Sequence, residues 1–520
     1  MRSARAAVAV FVLVELVALV VFLQAGRHQW FFGDEWAFVA GRSLTSTDDL
    51  LRPHWGHWVT LPLVLYRALY SIFGMRTYLP YQLLAISSHL GVVALTRVVL
   101  RRAGVGPWVS TLAAGTLALF GSGRDNVVWA FQITFTGALL FGLLHLVMAD
   151  HQGATGPRDW WGLLAGAAAL MCSAVGLVMV FVVGLAVWWR RGWRMAAFHT
   201  IPLLCLFGGW TVVWGERSQE IQAGRPSIGA GASFFANLIS GTLDAMGQHP
   251  VVGLLLGIGM VLGVGLVFRA RGGEGLSGAA APLAMLVGAL VFAGITSATR
   301  ARFYGTGRAY ESRYLYVVAA MAVPWLGYCA HALTRRWSRA APVVALLLVI
   351  GIPGNVLAAD DRAPRQYGQR NFALALAHSP ALSAVPDDEG PDWGFLVAFG
   401  VTAHSLRQGV EDGSIPPPDR PNRWHQARAA KVLLFRQQPV SSTHNMECRE
   451  MGGVFSVGLD HGDIILRLGD RTVPARVAIG SYTQDIELAT GPFSDLLVVG
   501  NRFELSTRQT GANPPITICR

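Results

Sequence analysis

The chain has 520 residues, 52% hydrophobic and only 14% charged, with a mean hydropathy of +0.42. An ordinary soluble domain is about a quarter charged, so these values exclude one and indicate a polytopic membrane protein with some soluble mass attached. The net charge of +11 rests almost wholly on arginine, with Lys431 the only lysine. Those arginines are scattered through connecting loops rather than gathered in one basic domain, which excludes a nucleic-acid-binding protein.

The first apolar run, residues 6–24, follows Arg2 and Arg5 in the manner of a signal peptide. No small-residue cleavage site follows it and many further spans do, so it reads as a retained signal anchor. About eleven membrane helices are expected, near 6–24, 78–100, 108–120, 127–148, 161–175, 177–189, 196–214, 250–268, 277–298, 314–333 and 341–358. The run 160–189 is taken as a hairpin rather than one tilted helix, because Arg190, Arg191 and Arg194 close it on a basic loop like the others. Between the first two spans lies a long loop, 25–77. Its second half, 58–73, is apolar but interrupted by Pro62 and Arg67, the pattern of a helix lying in the membrane interface. A twelfth span at 58–75 is the alternative, and it would invert everything downstream.

With the N-terminus in the cytoplasm, the short loops on that side hold Arg101, Arg102, Arg158, Arg190, Arg191, Arg194, Arg269, Arg271, Arg335, Arg336 and Arg339. This is the expected positive-inside bias. The opposite loops hold most of the acids: Asp34, Glu35, Asp48, Asp49, Asp125, Glu216, Glu220 and Glu311. Acids barely steer topology, so their one-sidedness points to function. An odd helix count then places the C-terminal tail outside the membrane.

The domain organisation is therefore a transmembrane domain over 1–358, with interfacial helices within 25–77, and an extracytoplasmic soluble domain over 359–520. The latter reads as α+β, with two helices in 372–408 and a proline-rich break at 415–418. It is β-rich from about 451, where short runs at 453–459, 463–468, 473–479, 485–489, 496–499 and 502–507 suggest a small β-sandwich. Cys448 and Cys519 could pair there. Cys172, Cys205 and Cys329 lie in apolar runs and read as inert buried thiols.

Four groups of residues could carry chemistry. Asp34 and Glu35 sit among Trp30, Phe31, Phe32 and Trp36, just past the first span. A partly desolvated carboxylate at the mouth of a membrane cavity can accept a proton from a sugar hydroxyl; an ordinary polar loop is the competing reading. His54 and His57, with Trp55, open the proposed interfacial helix. The histidines suit a phosphate or an acceptor, and the indoles suit a sugar ring, with an aromatic membrane belt as the competing reading. Zinc is disfavoured, because no third ligand of metal-site spacing accompanies the two histidines. The turn 121–126 adds Arg124 and Asp125 on the same side. Last, 300–314 places Arg300, Arg302, Arg308 and Arg313, with Glu311 and Tyr314, on the outer side against the charge rule. A lipid phosphate would account for these arginines, as would snorkelling to headgroups. Glu15, inside the first span, is a further suspect because intramembrane acids are costly.

The constellation resembles the GT-C superfamily of integral-membrane glycosyltransferases, in particular bacterial members described as RgtA/B/C/D-like or dolichyl-phosphate-mannose-mannosyltransferase-like. Asp34-Glu35 matches the first-loop acidic motif, Asp125 falls where a second-loop acid is expected, and Glu311-Ser312-Arg313-Tyr314 resembles the Arg-Tyr motif heading a late helix. The resemblance covers roughly residues 1–358. One departure is that the second loop is only a short turn around Arg124-Asp125-Asn126. The resemblance implies an inverting transferase in a bacterial plasma membrane, moving a sugar from a polyprenyl-phosphate donor to a glycan, lipid or protein acceptor of the cell envelope. It implies Asp34 as general base, with Glu35 and Asp125 orienting the acceptor or the base. Arg300, Arg302, Arg308 and Arg313, with His54 and His57, would neutralise the departing phosphate. Arg124, Trp36, Trp55, Glu311 and Tyr314 would help position the substrates. No obligatory metal or other cofactor is expected, since arginine alone can stabilise a monophosphate leaving group. A transporter or lipid flippase is the main rival, and a non-catalytic scaffold presenting the tail to cell-wall glycan is another. The inverted repeats and broken helices of a transporter are not evident in the sequence.

An alkaline phosphatase fused after Arg520 should be active in intact cells, whereas a silent fusion would reverse the orientation.

Overall fold

The computed structural model describes residues 2–215, 226–269, 274–304, 306–360, 364–394, 396, 399–419, 422–439, 447–451, 455–460, 465–468, 472–489, 494–507 and 516–519. Glu216, Glu220 and Arg271 lie outside them. By chain contacts the protein divides into two compact units. A helical unit comprises Met1–Arg27, Thr47–Leu65 and Leu79–Ala363, and a second unit comprises His28–Ser46, Tyr66–Tyr78 and Pro364–Arg520. The boundary expected near 358–359 thus falls a few residues later, and two pieces of the first long loop group with the C-terminal residues.

Helices occupy all of the positions expected to span, but they differ in reach. Seven described helices are long and apolar enough to cross a membrane: Ser3–Ala25, Leu79–Arg102, Ala130–Ala149, Trp193–Trp214, Gly278–Ala301, Ser312–Arg336 and Ser338–Ala359. The bent pair Ile228–Gly247 and Pro250–Leu266, with 109° between its arms, could make an eighth. Pro107–Ala118, Pro157–Leu170 and Val175–Arg191 are shorter. The hairpin expected at 160–189 is present as two helices, broken at 171–174. Thr60–Phe73 has 14 residues, about 21 Å at 1.5 Å per residue, which is too short for a hydrocarbon core of about 30 Å.

Sequence reading missed the helix Ile228–Gly247 and took its residues for an outer loop. Glycine, alanine and serine dilute its apolar stripe, yet Phe234, Leu238 and Met246 are buried along one side of it. Ser227 caps its start, accepting from the amide of Ala230 at 3.2 Å.

Several charged residues at the ends of the spans are tied into the helical unit. Asp150 pairs with Arg190 at 2.8 Å. Asp159, fully buried, accepts from Arg191 at 2.6 Å, from the amide of Gly156 at 2.9 Å, and from His199 at 3.1 Å. Arg102 and Arg158 both donate to the carbonyl of Val147.

The second unit carries helices Pro364–Ala377, Ala403–Glu411 and Arg423–Leu434 and nine described strands. They are β1 (Phe435–Pro439), β2 (Cys448–Met451), β3 (Ser456–Leu459), β4 (Ile465–Arg467), β5 (Thr472–Ile479), β6 (Tyr482–Ala489), β7 (Ser494–Val498), β8 (Phe503–Thr507) and β9 (Ile516–Cys519). They form two sheets, β1-β7-β4-β9-β2 and β3-β8-β5-β6, antiparallel throughout the described pairs. Alternation decides which face is buried: Val473, Ala475 and Val477 of β5, and Phe503, Leu505 and Thr507 of β8, point inward. Strands β3 to β8 lie where alternating runs were read. The helix Arg423–Leu434 and strands β1, β2 and β9 were not anticipated.

Cys448 and Cys519 face each other in register across β2 and β9 and form a disulfide. With a sequence separation of 71, the bond restricts a long loop of the unfolded chain and should contribute about 2–4 kcal/mol. Replacing both by serine should lower the unfolding free energy from a denaturant titration by that amount. Alkylation of the denatured protein without reductant should label Cys172, Cys205 and Cys329 but neither Cys448 nor Cys519; in the folded protein only the exposed Cys205 should react.

Candidate active site

The acidic pair lies in the second unit, and the structure gives its two members different environments. Phe32, Gly33 and Asp34 form the turn that starts the short helix Glu35–Val39, with the amides of Glu35 and Trp36 bonded to the carbonyls of Phe32 and Gly33. Glu35 is wholly buried. Its Oε1 accepts from the hydroxyls of Tyr66 at 2.6 Å and Tyr78 at 2.7 Å, and its Oε2 accepts from the amide of Phe32 at 3.0 Å. Three donors converging on one carboxylate make a clamp that closes the turn from inside. Asp34, one residue earlier, is only half-buried, and its side chain does not cap the helix. Neighbouring residues at a helix start point about 100° apart, which lets the two carboxylates meet different surroundings.

Aromatic rings wall this turn. Phe31 lies edge-on to Tyr78 at 5.0 Å, Phe38 to Tyr66 at 5.5 Å, and Trp30 to Trp36 at 6.1 Å. Trp36 is 1% exposed, so it packs the turn and presents no face for a sugar. Tyr66 and Tyr78 were absent from the sequence-based candidates. Nothing local marks them, because their hydroxyls meet Glu35 across sequence separations of 31 and 43.

The remaining candidates belong to the helical unit. The turn around Gly121–Gly123 and the residues after it pack against the start of the Ser312–Arg336 helix. The amide of Asp125 donates to Ser312 Oγ at 3.1 Å, and Asn126 Nδ2 donates to the carbonyl of Arg313 at 2.9 Å. The structure thereby joins the Arg124-Asp125-Asn126 turn to Glu311-Ser312-Arg313-Tyr314, two motifs far apart in sequence. A Cβ on Gly121 would lie 1.7 Å from the carbonyl oxygen of Asn355, so this turn requires glycine for close approach. Asn355 in turn accepts from the amide of Ser122 at 3.0 Å. Beneath the motif, His89 and Tyr316 are buried and bonded at 2.8 Å, while His89 Nε2 meets the carbonyl of Ala118 at 3.1 Å. That carbonyl fixes the proton on Nε2, so Nδ1 accepts from the tyrosine hydroxyl.

Glu311 organises the arginines. It takes Arg308 at 3.2 Å on Oε1 and Arg313 at 2.6 Å on Oε2, and the Arg313 guanidinium also lies 5.0 Å over the Tyr314 ring. Arg308 remains about half exposed and Arg313 about a third. Tyr314 is buried. Asp125 is exposed and Arg124 half-buried. Arg300 is half-buried in the last turn of the Glu274–Tyr304 helix, and the side chain of Arg302 lies outside the described residues.

His54 and His57 close a tight turn on each other, with paired backbone bonds of 2.9 and 3.0 Å. Trp55 at its apex has φ +50, a conformation costly for a bulky side chain. His57 Nδ1 accepts from the amide of Ala174 at 3.4 Å, which leaves Nε2 as its donor nitrogen. His54 is buried against Phe131 at 5.5 Å. Among the described residues no group of three or more His, Cys, Asp or Glu is arranged to hold a metal ion.

No family model matches the chain, and no curated protein does either. Among solved structures, the crystal structure of ArnT from Cupriavidus metallidurans bound to undecaprenyl phosphate is similar over 83% of this chain and 92% of that one. The TM-score is 0.43 and the sequence identity 15%.

The Glu35 clamp has a direct consequence for stability. Tyr66→Phe or Tyr78→Phe should each cost about 1.5–3 kcal/mol, the range for a hydrogen bond to a charged group. Denaturant unfolding of the purified protein would measure this, and an unchanged midpoint for both variants would dismiss the clamp.

Proposed function

We propose that the protein is an inverting membrane glycosyltransferase that moves a sugar from a polyprenyl-phosphate donor to a hydroxyl of a cell-envelope glycan, lipid or protein. The membrane is the bacterial plasma membrane, crossed about eleven times if the shorter helices also span. The N-terminus is cytoplasmic, and the C-terminal unit and the reaction are on the outer side.

The observation that carries this reading is the division of labour within the acidic pair. Glu35 is locked by Tyr66, Tyr78 and the amide of Phe32, whereas the half-buried Asp34 lies on the turn which that lock holds in shape. Asp34 is the general base and Glu35 its positioning residue. The acceptor oxygen gives its proton to Asp34 and forms a bond to the anomeric carbon. The bond from that carbon to the phosphate oxygen breaks on the opposite face, and polyprenyl phosphate leaves with the electron pair. Attack opposite the leaving group inverts the centre.

Arginine serves the phosphate. Arg308 and Arg313 are held in a fixed fork by Glu311 while remaining partly exposed, which suits transient pairing with a dianion. Arg300 and Arg302 extend the same charge, His57 Nε2 is a further donor, and His54 supports the turn that carries it. Asp125, Arg124, Trp55 and Tyr314 complete the positioning of substrate. No metal is required by this chemistry.

Asp34→Asn should lower turnover by about 10²–10⁴-fold, the usual contribution of a general base, with normal abundance in the membrane. Lipid extracts of the variant strain should accumulate a polyprenyl-phosphate sugar, and its envelope glycans should lack one substituent. Unchanged lipids and glycans at normal expression would end the proposal.

A further inference from the structure

Beyond its own clamp, the Asp34 turn is braced by residues that lie more than three hundred positions away. Within the second unit, the turn 74–76 follows the Thr60–Phe73 helix and lies against residues 413–414. The amide of Met75 donates to the carbonyl of Ser414 at 2.6 Å, and Arg76 Nε donates to the carbonyl of Gly413 at 3.0 Å. Gly74, at φ +55, approaches so closely that a Cβ would lie 2.6 Å from the same Ser414 oxygen. Met75 passes this placement on, since its carbonyl accepts from Trp30 Nε1 at 3.4 Å, and Tyr78, three residues later, holds Glu35.

The other end of the motif is fixed independently. Just past the helix Glu35–Val39, a Cβ on Gly41 would fall 2.0 Å from the carbonyl oxygen of Phe399. The guanidinium of Arg370 lies 5.9 Å over the Trp30 ring and is itself ion-paired to Asp419. Contacts therefore reach the motif from both sides, from the segment 399–419 and the helix Pro364–Ala377.

We infer that residues 399–414 of the C-terminal unit are a positioning element for the reaction, acting through Gly41 and the 74–76 turn to hold Asp34 in its working orientation. This rests on the reading of Asp34 as the base. The segment touches no substrate in this scheme. Its contribution is to turnover, because a displacement of about 1 Å at a reacting group can cost about 10²-fold in rate.

The test uses the full-length protein in nanodiscs, with Gly41→Ala, Arg76→Ala and Arg76→Lys. Hydrogen exchange is followed by mass spectrometry, and turnover is followed with polyprenyl-phosphate sugar extracted from the parent membranes. In Gly41→Ala and Arg76→Ala, exchange should rise in peptides covering 31–41 while the helices Leu79–Arg102 and Ser312–Arg336 keep their protection. In the same variants kcat should fall by about 10–100-fold with KM for the lipid donor little changed. Arg76→Lys, which keeps a donor, should recover most of both. Unchanged exchange at 31–41, a loss of protection spread over the whole molecule, or raised exchange with full turnover would each overturn the inference. Full turnover in Asp34→Asn would instead remove the base reading, and the exchange measurements would still report whether 399–414 orders the turn.

Discussion

A buried carboxylate with converging donors is the constraint on which the acidic turn depends. Glu35 has no access to solvent, so its oxygens must be satisfied by protein. Tyr66 and Tyr78 come from opposite ends of the segment 66–78, and the amide of Phe32 comes from the turn itself. Satisfying Glu35 therefore fixes three pieces of backbone together. A second consequence is that the backbone of the turn carrying the half-buried Asp34 is held in shape.

The helical unit solves a similar problem with different chemistry. Its arginines are gathered around Glu311, and the turn before them is held by Ser312 and Asn126 contacts and by the close approach of Gly121 to Asn355. Below, the His89–Tyr316 bond joins the Leu79–Arg102 helix to the Ser312–Arg336 helix without exposing a polar atom to the apolar interior. Fixed polar geometry on a rigid helical support is what phosphate recognition demands, since mobile arginines would lose entropy on binding.

Much of this arrangement was legible in the residues, and the remainder was hidden for physical reasons. Long apolar runs announce helices because burial or lipid contact is the only way to satisfy them, and the break at 171–174 was marked by the basic loop beyond it. The alternating strands β3 to β8 were visible for the same reason. The helix Ile228–Gly247 was not, because its small residues carry helical packing without a strong hydropathy signal. The acidic motif stood out through its aromatic company, but the unequal roles of Asp34 and Glu35 could not be seen, as both are the same kind of group one residue apart. The grouping of 28–46 and 66–78 with 364–520 has little local signature: apart from Arg370 over Trp30, the contacts described are to backbone carbonyls of Phe399, Gly413 and Ser414, which any sequence would supply.

The contact between Arg76 and Gly413 spans 337 residues, and that interval is also a delay. At roughly 5–20 residues per second of synthesis, about 17–70 s separate the emergence of the acidic loop from that of the segment which shapes it. Throughout that time the clamp partners Tyr66 and Tyr78 are present, but the carbonyls of Gly413 and Ser414 that brace the 74–76 turn are not. The acidic motif thus precedes by several hundred residues the segment that braces it. A ribosome stalled before residue 413 leaves a chain without the two carbonyls that brace the 74–76 turn.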